Sequence, residues 1–205
     1  MSIRIFNYVN QLRNKALELE RRDINNKEAT SFLEKYQRRL ICIIPSVLLA
    51  WFLKEGFPSS FVEYVSNALS ILIGLFSTAI IFSFDKFYDK KDLTNASSVE
   101  KLIDVQSYNY TKQFTYITGY SIILCLFALV FLSFSSLFSE LANINIYNYK
   151  LDFHNITIKK IKYFFVIPAV ILQRFLVLYW LSSIIYNTLF VIGSLVKYMT
   201  LKMDR

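Results

Sequence analysis

The chain alternates long apolar blocks with charged segments. Residues 1–39 are polar, yet Ile5, Val9, Leu12, Ala16 and Leu19 recur in them at helical spacing among Arg13, Lys15, Glu18, Glu20, Arg21 and Arg22. This predicts an amphipathic helix over 3–22, ended at the Asn25-Asn26 pair. Such a helix suits three placements: flat on the inner leaflet, against a partner's helix, or folded back as a cap on its own chain. No continuous apolar run lies near the start, so no cleavable signal peptide is expected. Ser31 with Glu34 fits a capping box and starts a second helix at Phe32. Its apolar part, Leu40 to Leu53, reaches about 21 Å, short of a hydrocarbon core of about 30 Å. Snorkelling by Arg38 and Arg39 at one end, with Phe57 at the other, completes a short first span over 40–57. A tight turn at Lys54-Glu55-Gly56-Phe57-Pro58 follows.

The second span, 61–84, carries Ser66, Ser70, Gly74 and Thr78 at strict i, i+4 intervals. In lipid, helices associate through close backbone approach along such small residues. The stripe is therefore a candidate helix-packing face, toward another helix of the same chain or a neighbouring subunit. Residues 85–112 form a charged connector in which Ser97 and Glu100 make a second capping box. Nothing stops the helix that begins there before the end of a third span, 114–138. Its length of about 60 Å leaves roughly half standing outside a membrane as a stalk.

Residues 139–173 differ in texture. Ile144, Ile146, Tyr147, Tyr149, Leu151, Phe153, Ile156 and Ile158 alternate with polar residues, which reads as a hairpin of 143–153 and 156–162 turning near His154-Asn155. Tyr147, Tyr149 and Phe153 make it a candidate periplasmic sensing surface. The last apolar block, Tyr163 to Val196, is too long for one upright span and too short for two. Arg174 at mid-bilayer costs about 2.5–3.5 kcal/mol. A fourth span over 174–196 leaves it at an interface, with Tyr163–Gln173 as an entry segment bent near Pro168 and a tail over 197–205. The alternative keeps Arg174 inside as a pore or relay charge.

Composition agrees with the pattern: 55% of residues are hydrophobic and 19% charged, with 19 Phe and 14 Tyr. A disordered chain and a soluble enzyme are both excluded on this basis. The expected fold is an all-α membrane protein of four transmembrane helices, with cytoplasmic helical extensions and a small outer β-hairpin-like loop. Seventeen of the 23 Lys and Arg fall in the N-terminal segment, the connector and the tail. The positive-inside rule then puts both termini in the cytoplasm. The net charge of +8 is accounted for by topology and anionic lipid rather than by nucleic acid.

Little chemistry is visible. Cys42 and Cys125 lie in apolar blocks without a CxxC or zinc pattern, and His154 is the single histidine. Asp85, Asp89 and Asp92 are interleaved with lysines, as at a solvated helix end. No phosphate loop, HExxH or GxSxG occurs, so no catalytic residue, cofactor or metal is expected. A transporter is disfavoured, because only Pro45 and Pro168 break the spans and no acidic residue lies deep in one. An oligomeric scaffold or sensor remains, with a pore on an oligomer axis as the alternative. Arg13, Arg21 and Arg22 are candidates for docking a partner.

The basic N-terminal helix, the stripe centred on Ser70-Ile71-Leu72-Ile73-Gly74, the charged connector, and the polar-aromatic loop before a long last helix come in a suggestive order. That order resembles the small four-helix membrane subunits of bacterial anti-phage operons, most of all the membrane subunit of the Kiwa system. The resemblance implies a homo-oligomer, with a tetramer among its forms, that detects phage attack at the bacterial inner membrane. It also implies a soluble cytoplasmic partner subunit acting on phage DNA.

Overall fold

A computed structural model describes residues 2–28, 31–88, 97–138, 143–146 and 158–203. These form five helices: α1 (Ser2–Glu20), α2 (Phe32–Phe52), α3 (Ser59–Tyr88), α4 (Ser98–Leu137) and α5 (Ile158–Met203). Three of them, α3, α4 and α5, contain stretches long and apolar enough to cross a membrane: Ser59–Ser83, Ser98–Leu137 and Val166–Lys197. The apolar part of α2, only Leu40 to Leu53, is shorter.

The helix starts follow from local chemistry. At Ser97 the capping box is complete: its hydroxyl accepts from the Glu100 N–H at 3.3 Å, and the Glu100 carboxylate accepts from the Ser97 N–H at 2.8 Å. With two orphan donors satisfied there, α4 runs 40 residues, about 60 Å. Ser31 holds the extended N-cap conformation before Phe32, but its side chain makes no cap bond.

Helix α4 is the hub, packing against α1, α3 and α5, while α2 packs on α5. The distribution of polarity is inverted relative to a protein folded in water. Ser46, Thr118, Ser121, Ser183 and Asn187 are buried, whereas Leu48, Ile71, Leu75, Phe82, Leu126, Ile185 and Leu189 are exposed. Such an apolar exterior suits hydrocarbon as solvent. The buried hydroxyls serve close approach. Ser46 Oγ donates to Cys42 O at 2.6 Å and lies 3.3 Å from Ser182 Oγ on α5. Asn187 Nδ2 donates to Ser121 Oγ at 2.9 Å, and that hydroxyl donates to Ile117 O at 2.8 Å. Ser46 thus links α2 to α5 and Asn187 links α5 to α4, whereas Thr118 Oγ1, Ser183 Oγ and Asn187 Oδ1 are buried without a hydrogen bond among the described residues. Trp180 fills the wider end of the α4–α5 seam, its ring 4.8 Å from Phe131 and 5.7 Å from Phe127.

The amphipathic helix takes the intramolecular placement. Ala16 and Leu19, its most buried residues, pack into the bundle. Contacts along α1 and α4 run in opposite order. Leu19 lies beside Gln113, Leu12 meets Gly119, and Val9 shares a cavity wall with Phe127. The two helices are antiparallel, and the first half of α1 lies alongside the apolar segment of α4.

One expectation is corrected. Residues 158–162 open α5 and are not a strand; Ile158, Ile161 and Phe165 stand at i, i+3 and i+7, a helical spacing that alternation does not give, and continuity with the apolar block favours the helix. No strand occurs among the described residues, and 147–157 lie outside them. Residues 163–173 and Pro168 belong to the same helix, α5, of 46 residues. Neighbouring helices in a membrane tolerate a proline of this kind.

Gly119 reports on the α1–α4 contact. A Cβ there would stand 3.7 Å from the Leu12 methyls and 4.0 Å from Ile80 Cδ1, ordinary contact distances. Gly119→Ala is expected to leave trypsin cleavage at Arg21 and Arg22 unchanged. Gly119→Leu should overpack the contact by about 1–3 kcal/mol and speed that cleavage.

Candidate functional site

The candidate site lies where the N-terminal arm, residues 2–28, closes over the bundle. A helix ends with carbonyls that lack partners, and the end of α1 faces α4. There Gln113 Nε2 donates to Leu19 O at 3.3 Å and to Arg22 O at 2.7 Å. One turn earlier, Asn109 Nδ2 donates to Ile24 O at 3.0 Å, and Gln106 Nε2 donates to Asn25 Oδ1 at 2.8 Å. Gln106, Asn109 and Gln113 share one face of α4 at i, i+3 and i+7. This amide ladder caps α1 in the place of water.

The loop after α1 is itself closely bonded. Asn26 takes a left-handed backbone (φ 58°), a conformation asparagine tolerates, and its N–H donates to Asp23 O at 2.7 Å. Ile24 is buried beneath. Asp23 gathers the Ile24 N–H at 2.7 Å and the Lys197 ammonium at 2.7 Å, joining the head of the chain to the end of α5. Burial would raise the Asp23 carboxyl, but the bonds from Lys197, the Ile24 N–H and Asn25 outweigh it and hold the group below the usual aspartate value.

Deeper in, Glu20 and Arg38 form an ion pair whose side chains are 9% and 11% exposed. The Arg38 guanidinium lies 5.5 Å from the Tyr120 ring centre and 5.9 Å from that of Tyr186. Both charges are therefore paired, and the cation also faces two aromatic rings. Beside the pair a cavity of about 240 Å³ opens between α1, α2, α4 and α5. Its walls combine Arg13, Arg38 and Tyr120 with Val9, Phe127 and Trp180. The arrangement holds the arm against the bundle.

The opposite end of the bundle is organised by Arg174, which is 2% exposed. Its guanidinium donates to Leu53 O at 3.0 Å, Lys54 O at 3.3 Å and Ile144 O at 3.0 Å. Leu53 is the C-cap of α2, so the cation sits at the negative end of that helix. One fork ties together α5, the α2–α3 turn and segment 143–146. Ile146 N–H adds a bond to Lys54 O at 3.3 Å, and Asn145 Nδ2 another to Glu55 at 3.3 Å.

The other sequence candidates scatter. Ser70, Gly74 and Thr78 are exposed and Ser66 is half-buried, and a Cβ at Gly74 would meet nothing within 4 Å. The face of α3 turned into the bundle is instead Val62, Val65, Leu69, Leu72 and Ile73. Of the docking candidates, Arg21 is exposed, Arg13 borders the cavity, and Arg22 is engaged with Glu18, Glu28 and Asn26. Tyr147, Tyr149 and Phe153 lie outside the described residues. The sequence reading missed the amide ladder, the Glu20–Arg38 pair and the Asp23–Lys197 tie. Only the ladder left a signal, three amides at helical spacing on a stalk. Comparison with protein-family models, curated proteins and solved structures returned no match.

Two outcomes are expected. Glu20→Ala strands a buried guanidinium and should destabilise the protein by about 3–5 kcal/mol, while the joint change Glu20→Leu with Arg38→Met should restore most of that loss; thermal unfolding in detergent reads both. Asp23, with its lowered pKa, stabilises the arm above its unfolded value of about 3.9 and ceases to do so as pH falls through the folded one. Protection factors over 21–28, exchange rates divided out by the intrinsic rate at each pH, should therefore be steady from neutral pH to about 5 and fall below about 4.

Proposed function

We propose that this chain is a bacterial inner-membrane protein of four spans, with both termini in the cytoplasm, that self-associates and works without catalysis as a sensor-scaffold for a soluble partner. The observation that carries this reading is the outward face of α3. Ser70, Gly74 and Thr78 point away from the chain's own bundle. Their hydroxyls are already bonded within the helix, Ser70 Oγ to Ser66 O and Thr78 Oγ1 to Gly74 O, each at 2.9 Å. A small, internally satisfied, unoccupied face in a membrane-length helix is what a second helix packs against.

The other features support the same reading. α2 lies between the Arg38 end and the Arg174 end of the bundle, which favours its being a fourth, short crossing anchored by polar residues. The arm is held largely by amides and ion pairs, so its docking equilibrium is open to a shift by a partner or by a change in the surrounding lipid. Arg21 offers that partner an exposed charge. Arg174, engaged with backbone carbonyls, supports a structural role at the bundle end over conduction. An anti-phage assembly of the Kiwa type is the setting we propose, on the order of parts along the chain.

Ser70→Leu and Gly74→Leu should each weaken self-association about tenfold, on the scale of an overpacked contact of about 1–3 kcal/mol. Light scattering of the detergent-solubilised protein reads the mass. Unchanged assembly in both variants would overturn the proposal.

A further inference from the structure

The cavity between the arm and the bundle has two unlike ends. One is cationic and hydrogen-bonding: Arg13 and Arg38 stand there with Tyr120 and Tyr179, and Arg13 reaches the Tyr120 side chain. Glu20 already matches Arg38. Arg13 makes no ion pair among the described residues, and no Asp or Glu lines the cavity. One positive charge is therefore left uncompensated at this end. Two turns on along α4 the wall is apolar, built from Ile123, Leu124, Phe127 and Trp180. From there an aromatic track continues along α4. Trp180 lies against Phe127 and Phe131, Phe131 against Phe134, and Phe134 against Phe138. Phe127, Phe134 and Phe138 are exposed. The four phenylalanines recur at i, i+4, i+7 and i+11 and mark one face of α4 over about 16 Å.

We propose that this cavity is a binding site for an anionic lipid, whose headgroup meets Arg13 and whose acyl chain lies along Phe127 and Trp180. Each simpler occupant leaves one end unsatisfied. Water serves the guanidinium but not the ring wall, since apolar cavities stay dry. A neutral lipid chain does the reverse. A free phosphate uses none of the apolar wall. A peptide helix, about 10 Å across, is too wide for a cavity of about 240 Å³. A headgroup with the first methylenes of its chain fits that space, about eight water volumes in all. The rest of the chain has the aromatic track, on a helix long and apolar enough to cross a membrane. The site also acts on the arm. Arg13 belongs to α1, whereas Arg38, Phe127 and Trp180 belong to α2, α4 and α5, so a lipid seated there touches arm and bundle together. Binding to the docked arm alone shifts its equilibrium toward docking. The inference rests on the movable arm of the reading above and names the lipid that holds it; it needs no self-association.

The test reads the fluorescence of Trp180. The chain has two tryptophans, and the other, Trp51, exposed on α2, is removed by Trp51→Phe. The full chain in neutral detergent is titrated with phosphatidylglycerol brominated along its acyl chains. Saturable quenching of Trp180 is expected. Affinity should fall about fivefold with brominated phosphatidylcholine, and by the same factor in Arg13→Gln, the loss of one cation at an anionic headgroup. Lys101→Gln, at an exposed position outside the cavity wall, should change nothing. Equal quenching by the two lipids, or equal losses in the two variants, would overturn the site and leave self-association untouched. Displacement of the brominated lipid by inorganic phosphate as readily as by unlabelled phosphatidylglycerol would overturn the acyl contact in favour of a free anion. Trypsin cleavage at Arg21 should slow severalfold at saturating phosphatidylglycerol. Cleavage unchanged while quenching behaves as expected would overturn the coupling to the arm and leave the lipid site standing.

Discussion

Two joints among the described residues seat a polar side chain on backbone carbonyls at or just past a helix end. Inside a membrane those carbonyls find no water, and an unsatisfied one is costly. Gln113 takes the carbonyls of Leu19 and Arg22 at the end of α1. Arg174 takes those of Leu53 and Lys54 at the end of α2. The two joints stand at opposite ends of the bundle and fix the N-terminal arm at one and the α2–α3 turn at the other. Apolar packing fills the space between them; it does not set the register.

This division also assigns the parts their mobility. The seam of α4 and α5 is closed by small hydroxyls and the Trp180 ring cluster, contacts that break only together. The arm is different. It leans on an amide ladder, a half-exposed Asp23–Lys197 tie and one buried ion pair. Exposed ion pairs contribute little, so most of the hold resides in Gln113, in the Glu20–Arg38 pair and in the burial of Ala16, Leu19 and Ile24. Weakening one of these loosens the arm before the bundle.

Much of the architecture was legible in the sequence. Apolar blocks located the long helices, the Ser97–Glu100 box gave the start of α4, and the spacing of Ile5, Val9, Leu12, Ala16 and Leu19 gave the existence of α1 and its inner face from Val9 onward, Ile5 being exposed. The choice among its three placements was not legible, because one stripe fits a leaflet, a partner or the chain's own α4 equally well. The alternation after residue 143 misled over 158–162, since Ile158 ends the alternating run and also opens the helical spacing of Ile161 and Phe165 that continues into α5. Arg174 was set at a membrane interface by its cost in lipid, with a pore or relay charge as the alternative, and neither reading names what the side chain touches. Its actual partners are backbone carbonyls, and backbone has no signature in side-chain patterns. Glu20 and Arg38 pair across 18 positions, and nothing local marks them.

The antiparallel seating of α1 on the apolar part of α4 is the claim from which the arm and the cavity both follow. A benzophenone side chain at position 12, irradiated in native membranes and mapped by mass spectrometry, tests it directly. Crosslinks to the α4 peptide around Gly119, or to α3 near Ile80, are expected. Adducts confined to lipid or to soluble proteins would contradict it.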